Sequence, residues 1–428
     1  MAEQAIRETF GLMPPGTSHY LYVVFAPFAL VFAYGAYLRL ARSGLIDLVR
    51  GGSGGIAGAL GRLGWYALLQ RRVAARPRGY AHLGIFYGFL ALFAGTTIVF
   101  IDWDILRPLG VRLLAGAPYL LLESFLDALG VAFVVGLCVA LVWRLARLRT
   151  STPDQRAVQL QFLGLIGGLL FLGLTGFLLE GLRILLRPAS WTDVSFVGTA
   201  VAGFLSGAVS PGTAQEIYVG LWWSHAVVAF TLIALLPFTV FLHAGAAPLN
   251  VMAQPGLPRR ELDAPFDLRE VMESGNFDLQ PGVATVAGFD AGRRFALLAC
   301  TNCGRCDEVC PAVAMGTALS PRRLVQSLRR QVLEAKTEED LLDTAVVSPE
   351  ALWACTTCAA CVMACPVLIR PVDYIVPMRR EEVSRQHLDA RQGALLANLG
   401  RSANPFGLPP DRRDDLPGSL AQADGVES

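Results

Sequence analysis

The chain has 428 residues, of which 54% are hydrophobic and only 17% are charged, and its mean hydropathy is +0.47. Soluble domains carry about 25% charged residues, so this composition excludes a purely soluble protein. The formal net charge of +1 gives no basic field of the kind that binds nucleic acid. Eight of the nine cysteines lie in two tight groups, which indicates metal binding rather than a disulfide scaffold.

Five apolar stretches are long enough to cross a hydrocarbon core of about 30 Å, which takes roughly 20 helical residues. They are approximately Tyr20–Leu38, Leu83–Ile101, Ser124–Trp143, Ala157–Leu179 and Ile217–Leu242. A sixth run, Val194–Ser210, is short and rich in glycine, and we expect a loop or an interfacial helix there. Residues 1–245 therefore predict an all-α membrane domain, a bundle of five transmembrane helices.

Arginines alternate between the connections of this bundle. Eight arginines lie between the first and second stretches and four lie between the third and fourth. The positive-inside rule places these two connections in the cytoplasm. The sequence thus predicts a bacterial or archaeal cytoplasmic membrane protein, with its N-terminus outside and everything after the fifth stretch inside.

Beyond residue 245 the chain becomes more polar. Residues 246–290 are predicted to be a linker, because several prolines fall there. Residues 291–385 are predicted to form a cytoplasmic domain with amphipathic helices such as Pro321–Lys336. Residues 386–428 end in a stretch rich in Pro, Gly and Asp, and we expect an extended or disordered tail that docks a partner.

Two short segments repeat the same cysteine spacing, CTNCGRCDEVCP (Cys300–Pro311) and CTTCAACVMACP (Cys355–Pro366). Both follow C-x₂-C-x₂-C-x₃-C-P, the run of two-cluster ferredoxins in which the fourth cysteine ligates the other cluster. The expected ligands are Cys300, Cys303, Cys306 and Cys365 for cluster 1, and Cys355, Cys358, Cys361 and Cys310 for cluster 2. Structural zinc is the alternative, but zinc usually takes two separated pairs of cysteines. The 44 residues between Cys310 and Cys355 predict an α-helical ferredoxin-like domain.

Three of the five histidines lie in or at the ends of apolar stretches, where ionisable groups are costly and usually functional. His225 and His243 are 18 residues apart, which is five whole turns, so a continuous helix places them on one side. His82 begins the second stretch at the same predicted depth as His243. This pair predicts the two axial ligands of a b-type haem, although a satisfied core histidine remains the alternative.

His225 has no histidine partner at its depth. The position on the second stretch where a second haem ligand would be expected, ten residues after His82, is occupied by Leu92. A second haem is therefore weakly supported, and His225 is a candidate for a quinone headgroup, to which it can donate a hydrogen bond. Glu180 and Arg183 are further candidates for contact with a quinone. The alternative is that they lie at a solvated helix end. His19 and His387 are predicted on the surface, and Cys138 is predicted to be a packing residue.

With these residues in place, the membrane half resembles the gamma subunit of respiratory nitrate reductase, which has five spans and haem histidines on spans two and five. The soluble half resembles the iron–sulfur segment of heterodisulfide-reductase-related proteins. That likeness lies in ACTNCGRCDEVCPA (Ala299–Ala312), LSPRR (Leu319–Arg323) and WACTTCAACVMACPV (Trp353–Val367). The order of the two halves is similar to membrane-bound electron-transfer-flavoprotein:menaquinone oxidoreductases, over roughly residues 20–410.

The resemblance implies an oxidoreductase subunit that relays electrons between a cytoplasmic redox partner and the quinone pool, with menaquinone as the expected quinone. The relatives continue into a domain with CCG motifs, which are absent from the printed sequence. We expect either that a separate CCG-type subunit supplies this domain or that the chain serves another partner, such as electron-transfer flavoprotein. The competing function is a membrane-anchored iron–sulfur sensor or anchor without quinone turnover.

Overall fold

The computed structural model describes residues 5, 9–43, 56–149, 153–254, 262, 264–276, 279–388 and 390–409. Within these residues the regular structure is helical, and β pairing is limited to the isolated bridge between Thr285 and Asp340. The chain divides into two units. The first comprises Met1–Gly256 with Leu298–Thr301 and Cys365–Ile369, and the second comprises Leu257–Leu297, Asn302–Ala364 and Arg370–Ser428.

The first unit is a helical bundle. Its α-helices are α1 (Thr17–Ser43), α2 (Ile56–Arg62), α3 (Arg71–Ala74), α4 (Pro77–Phe100), α5 (Ala117–Arg149), α6 (Pro153–Leu186), α7 (Phe196–Leu205), α8 (Pro211–Leu235) and α9 (His243–Ala253). Among the residues that the structure describes, helices α1, α4, α5, α6 and α8 are long and apolar enough to cross a membrane, which agrees with the five long apolar helices that the sequence predicts. The ten residues of α7 are too few to cross.

Short irregular helical segments connect these elements. Leu63–Leu68 and Ile101–Leu106 are π-helical, and the turns of 3₁₀-helix are Arg107–Leu109, Thr192–Val194, Leu236–Phe238 and Val240–Leu242. Helices α4 and α5 approach closely because glycines face the contact: a Cβ at Gly88 would lie 2.5 Å from the Cβ of Phe133. Small residues of this kind allow apolar helices to pack without a hydrophobic driving force between them.

The fifth long helix ends earlier than predicted. Helix α8 stops at Leu235, and Thr239 has an extended backbone with φ −118° and ψ −179° before α9 begins at His243. Pro237 lacks the N–H that a continuing helix needs. Arg39 of α1 donates from Nε to the carbonyl oxygen of Pro237 at 2.9 Å, so a neighbouring helix supplies a hydrogen bond to this carbonyl at the break. The predicted helix through Leu242 is therefore wrong, and so is the five-turn register between His225 and His243.

The second unit is built from short helices. They are α10 (Leu268–Ser274), α11 (Ala291–Leu298, its last residue counted with the first unit), α12 (Arg305–Glu308), α13 (Pro311–Ala314), α14 (Pro321–Leu333), α15 (Pro349–Trp353), α16 (Ala360–Ala364), α17 (Val372–Ser384) and α18 (Ala390–Ser402). The predicted helix from Pro321 is confirmed as α14. Ser320 caps it by accepting from the N–H of Arg323 at 3.1 Å, and Leu328 on its inner face is fully buried.

The linker and tail predictions need correction. Part of the predicted linker 246–290 is helical, since α9 and α10 fall in it, and the first unit extends to Gly256. The predicted extended tail is wrong over Ala390–Ser402, which forms α18. This segment has good helix formers and leucines at helical spacing, which the Pro- and Gly-rich residues after it obscured. Residues 255–261 of the linker and 410–428 of the tail lie outside the described residues.

Candidate functional site

Four cysteines from both motifs line one cavity in the second unit. Cys310 comes from the first motif, and Cys355, Cys358 and Cys361 come from the second. The cavity has an empty volume of ≈ 310 Å³, and its remaining lining includes the apolar side chains of Leu319, Val372 and Ile375. These are the four residues predicted to hold cluster 2. Four sulfur donors in an apolar shell fit an iron–sulfur cluster.

The backbone of the two motifs has the same unusual conformation. In each motif the residues before and after the second cysteine have positive φ: 56° at Asn302 and 85° at Gly304, 55° at Thr357 and 58° at Ala359. This conformation is costly for residues other than glycine and persists where a functional site requires it. A backbone in this conformation points successive N–H groups toward one concave surface, which can bind anionic groups such as iron–sulfur clusters. The N–H of Thr357 donates to Sγ of Cys355 at 3.4 Å.

Two thiols of this cavity, Cys355 and Cys361, are poor acids on their own. Burial raises the pKa of Cys361 to about 12, and the neighbouring thiols Cys355 and Cys310 add to the increase. Burial likewise raises the pKa of Cys355. Iron–sulfur and other metal sites take thiolates, so loading this cavity must release protons. Among the residues that the structure describes, no three His, Cys, Asp or Glu side chains are placed to hold a single metal ion.

The residues predicted to hold cluster 1 are divided between the units. Cys300 and Cys365 belong to the first unit, and Cys303 and Cys306 belong to the second. Within the second unit, Cys306 packs against the buried group that contains Cys361. Cys303 and Cys358, the second cysteine of each motif, are exposed.

The segment Cys365–Ile369 packs within the first unit against its shorter helices. Arg72 of α3 donates from Nη1 to the carbonyl oxygen of Cys365 at 2.7 Å. Asn250 of α9 is fully buried and donates from Nδ2 to the carbonyl oxygen of Val367 at 2.7 Å. Leu368 packs with Tyr66 and Val251 in one buried group. The segment with the last cysteine thus contacts the chain just before α4 and the helix that begins at His243.

His82 lies in the second turn of α4, and His243 is the first residue of α9. Their segments are neighbours, because the ring of Phe89, two turns after His82, packs edge-to-face on Phe241 with centroids 5.5 Å apart. Nδ1 of His243 lies 2.5 Å from the carbonyl oxygen of Val240. A carbonyl only accepts, so Nδ1 carries the proton and Nε2 presents a lone pair. This tautomer is the one that a metal-ligating histidine uses.

His225 packs against α6 rather than toward another histidine. Its Nδ1 lies 2.8 Å from Oγ1 of Thr175, whose hydroxyl donates to the carbonyl oxygen of Phe171 at 2.6 Å. Because a hydroxyl has one proton, Nδ1–H of His225 is the donor and Nε2 is again an acceptor. Thr175 was not singled out from the sequence, since a lone threonine in an apolar stretch gives no signal.

Glu180 and Arg183 belong to a buried polar network and not to a solvated helix end. Nη2 of Arg183 lies 3.7 Å from Oε1 of Glu180 and 3.9 Å from Oε1 of Glu123, and its Nη1 donates to Tyr119 at 3.3 Å. Asp127, only 3% exposed, accepts from the N–H of Val197 at 2.9 Å. Sequence reasoning missed Glu123 and did not connect Asp127 to the site, although their spacing of four residues puts both on one helix face.

Helix α7 covers this network. A Cβ at Gly198 would lie 2.4 Å from Cγ of Glu180, so the helix backbone rests directly on the carboxylate stem. Ser195, at the start of α7, donates to Oε2 of Glu123 at 3.4 Å. The short sixth run therefore closes a polar site built by α5 and α6.

The remaining candidates lie on the surface. His19 and His387 are exposed, as predicted. Cys138 is also exposed, on the outer face of α5, so it does not pack in the protein core as the sequence suggested.

Comparison with known proteins adds to this geometry. The model of the 4Fe-4S dicluster domain matches residues 299–369, which contain both cysteine motifs. The "EtfAB:quinone oxidoreductase" of Syntrophomonas wolfei is 29% identical over 80% of this chain and 51% of its own length. One subunit of the dihydromethanophenazine:CoB–CoM heterodisulfide reductase of Methanosarcina acetivorans is 27% identical over 44% of this chain and 64% of its own. The "Probable membrane-anchored ferredoxin" of Chromohalobacter salexigens is 33% identical over 34% of this chain and 25% of its own.

The chain spans about half the length of the first of these relatives. No solved structure matches it. The relatives are oxidoreductases or their subunits, and they support an electron-transfer role with iron–sulfur clusters. The five apolar helices and the relative named as membrane-anchored support a membrane location.

Proposed function

We propose that the chain is a membrane subunit that relays electrons between a cytoplasmic redox partner and the quinone pool. The observation that carries this proposal is the packing of Cys365–Ile369 within the first unit. Arg72 and Asn250 fix this segment beside the elements that bear His82 and His243. If Cys365 holds cluster 1 and these two histidines hold a haem, electrons would pass between the two groups in this part of the first unit.

The eight cysteines of the two motifs are proposed to hold two [4Fe–4S] clusters. Cys300, Cys303, Cys306 and Cys365 would hold cluster 1, and Cys310, Cys355, Cys358 and Cys361 would hold cluster 2. The exchange of the fourth ligand keeps such clusters close together, as electron transfer requires. The clusters supply one-electron chemistry, while the chain supplies their position and surroundings.

His82 and His243 are proposed as the axial ligands of a b-type haem. The hydrogen bond from Nδ1 of His243 to the carbonyl oxygen of Val240 supports this role, because it orients the ring and keeps the ring proton on Nδ1, as in a histidine that ligates a metal through Nε2. The break at Pro237 starts a new helix at His243, so the position of this ring is set by α9 and not by the register of α8.

The quinone is proposed to bind near His225 and the network of Glu180 and Arg183. Nε2 of His225 accepts a hydrogen bond from a quinol hydroxyl, and a protonated carboxyl group supplies one to a quinone carbonyl. Among the described residues, the guanidinium of Arg183 lies 3.7 Å from Glu180 and 3.9 Å from Glu123, and Asp127 lies one turn from Glu123 on α5. We propose that these three carboxyl groups share protons, because several ionised carboxylates close together are costly in such a setting. Reduction of a quinone takes two protons with two electrons, and such carboxyl groups can hold them.

The proposed orientation has the N-terminus outside and the clusters in the cytoplasm, and the arginine pattern supports it. The partner is proposed to be a soluble redox protein, either electron-transfer flavoprotein or a CCG-type heterodisulfide-reductase subunit. The names of the relatives in Syntrophomonas wolfei and Methanosarcina acetivorans support these two choices. Menaquinone is the proposed quinone.

The test is to quantify haem and iron in the full chain purified from membranes and to follow haem reduction by added quinol. We expect haem together with about eight non-haem iron atoms per chain. His82→Ala and His243→Ala should abolish the haem absorbance and leave the non-haem iron content unchanged. His19→Ala, which changes an exposed histidine, is the matched control. Full haem content in both variants would refute the ligand assignment, and haem that quinol never reduces would favour an iron–sulfur anchor or sensor.

A further inference from the structure

Arg379, on helix α17, is held against the beginning of the second cysteine motif. Its Nε donates to the carbonyl oxygen of Leu352 at 2.8 Å. Its Nη2 donates to the same oxygen and to the carbonyl oxygen of Cys355. The guanidinium also stacks over the ring of Trp353, 5.1 Å from the centroid. Three hydrogen bonds and a ring thus fix this cation beside a cysteine that lines the cavity.

The surroundings of Arg379 differ from those of three other arginines in the second unit, which pair with carboxylates. Arg322 pairs with Asp307 at 2.9 Å, Arg370 with Asp373 at 2.5 Å, and Arg385 with Asp340 at 2.6 Å. Among the described residues, no carboxylate lies within ion-pair distance of Arg379. Its hydrogen bonds go to main-chain oxygens of the segment Leu352–Cys355 instead.

A partly buried guanidinium without a carboxylate is costly unless another anion compensates it. Cys355, whose carbonyl oxygen accepts a hydrogen bond from Arg379, is one of the four cavity cysteines, and its thiol becomes anionic when it ligates a metal. A cluster with four thiolate ligands is an anion, and it gains one further negative charge when it accepts an electron. A fixed cation stabilises the more negative state, and charge and hydrogen bonding near the sulfurs are known determinants of cluster potential.

We propose that Arg379 is the counter-charge of the cluster held by Cys310, Cys355, Cys358 and Cys361, and that it raises the reduction potential of that cluster. Arg379 is a positioning residue in this role, because it touches the motif backbone rather than the iron or its sulfur ligands. The inference rests on the proposed assignment of cluster 2.

The test is a redox titration of the full-length, cluster-loaded protein in detergent, with dithionite as reductant and electron paramagnetic resonance as readout. Arg379→Gln keeps a hydrogen-bond donor and removes the charge. We expect one of the two cluster signals to move to lower potential, by about a tenfold change in its reduction equilibrium, with iron content unchanged. Arg379→Lys keeps the charge and should hold the potential near that of the parent. Arg385→Gln, six residues along the chain in an existing ion-pair network, is the matched control and should shift neither signal.

An iron-loaded Arg379→Gln variant with both potentials unchanged would overturn the inference and leave the cluster assignment intact. A parent protein without iron would instead show that the assignment itself fails, and the inference with it. If Arg379→Gln loses iron, the Arg379→Lys variant tests the proposal instead. An iron-loaded Arg379→Lys variant with the parent potential supports the role of the charge, whereas a lower potential in that variant contradicts it. Loss of iron from both variants would show that Arg379 only holds the loop, and the proposal would fall.

Discussion

In the second unit, the cysteines that line the cavity come from two segments of eleven residues each, Cys300–Cys310 and Cys355–Cys365. In the first unit, the polar groups come from α4, α5, α6, α8 and α9, and hydrogen-bond partners such as Ser195 and Glu123 are 72 residues apart. A cluster needs many identical ligands close together, which a short motif can supply. A haem or quinone site needs a few groups on facing helices, which only packing brings together.

This difference predicts that a single substitution in a cysteine motif abolishes one cluster completely, whereas a single substitution in the bundle lowers a rate without abolishing cofactor binding. The largest effect is expected for Cys358→Ser, which removes one of four ligands from the cavity. We expect this variant to lose about half of the iron, since one of two clusters cannot assemble. Iron and acid-labile sulfide analysis provides the measurement. Cys138→Ser changes the exposed cysteine of α5 and should retain all iron; equal losses in the two variants would contradict the ligand assignment.

A large but partial effect is expected for Glu180→Gln in the buried network of the bundle. Quinone turnover should fall by roughly 10²-fold, because a positioned proton donor or acceptor contributes about that much. Haem and iron contents should not change. Steady-state quinol oxidation with an artificial electron acceptor measures the rate. Glu216→Gln, on an exposed position of α8, is the control, and the same rate in both variants would exclude Glu180 from the quinone site.

A smaller effect is expected at the segment that joins the cysteine motif to the bundle. Asn250→Ala removes the hydrogen bond from Nδ2 to the partly buried carbonyl oxygen of Val367. Electron exchange between the clusters and the haem should slow about tenfold through misplacement of Cys365, with both cofactors still bound. Stopped-flow absorbance after dithionite reduction follows this step. Gln254→Ala removes only the bond to Oδ1 of Asn250 and should leave the rate unchanged, so an equal slowing would point to a general loss of packing.

The smallest effect concerns an ion pair remote from both sites. Burial alone raises the pKa of Asp340, but hydrogen bonds from Arg385 and from the N–H groups of Asp343 and Leu342 outweigh it and lower the pKa below 3.8. A depressed carboxyl pKa stabilises the fold at neutral pH, and this contribution is lost as the pH falls below about 5 through the folded pKa. Asp340→Asn should cost roughly 1 kcal/mol at neutral pH and less near pH 4.

Thermal unfolding followed by circular dichroism at the two pH values measures the effect at Asp340. Asp290→Asn alters a more exposed carboxylate, whose ion pair with Arg293 is 3.3 Å long, and it should be nearly neutral. A destabilisation of Asp340→Asn that grows as the solution is acidified would contradict the expected sign.

Some features of the fold were predictable from sequence patterns and others were not. The number of long apolar helices followed from segment length and composition, because a helix that crosses lipid must satisfy its own backbone and expose apolar side chains. The cysteines of the cavity were named from spacing alone. The end of α8 was not predicted, although Pro237 stood in the printed sequence, because prolines in membrane helices are often accommodated without ending the helix. Helix α18 was missed because a short leucine-containing segment was averaged with the Pro- and Gly-rich residues beyond it.

The sequence by itself determined what is local: five apolar helices, two cysteine motifs with one spacing, and the few histidines available for ligation. Tertiary structure alone decided the proton positions on His225 and His243, the burial of Glu180 with Glu123 and Asp127, and the placement of Asn250 and Arg72 against the segment of Cys365. The physical reason is that spacing along one segment fixes which groups can meet within that segment. Hydrogen-bond partners and charge compensation depend on distances between segments that the order of residues does not state.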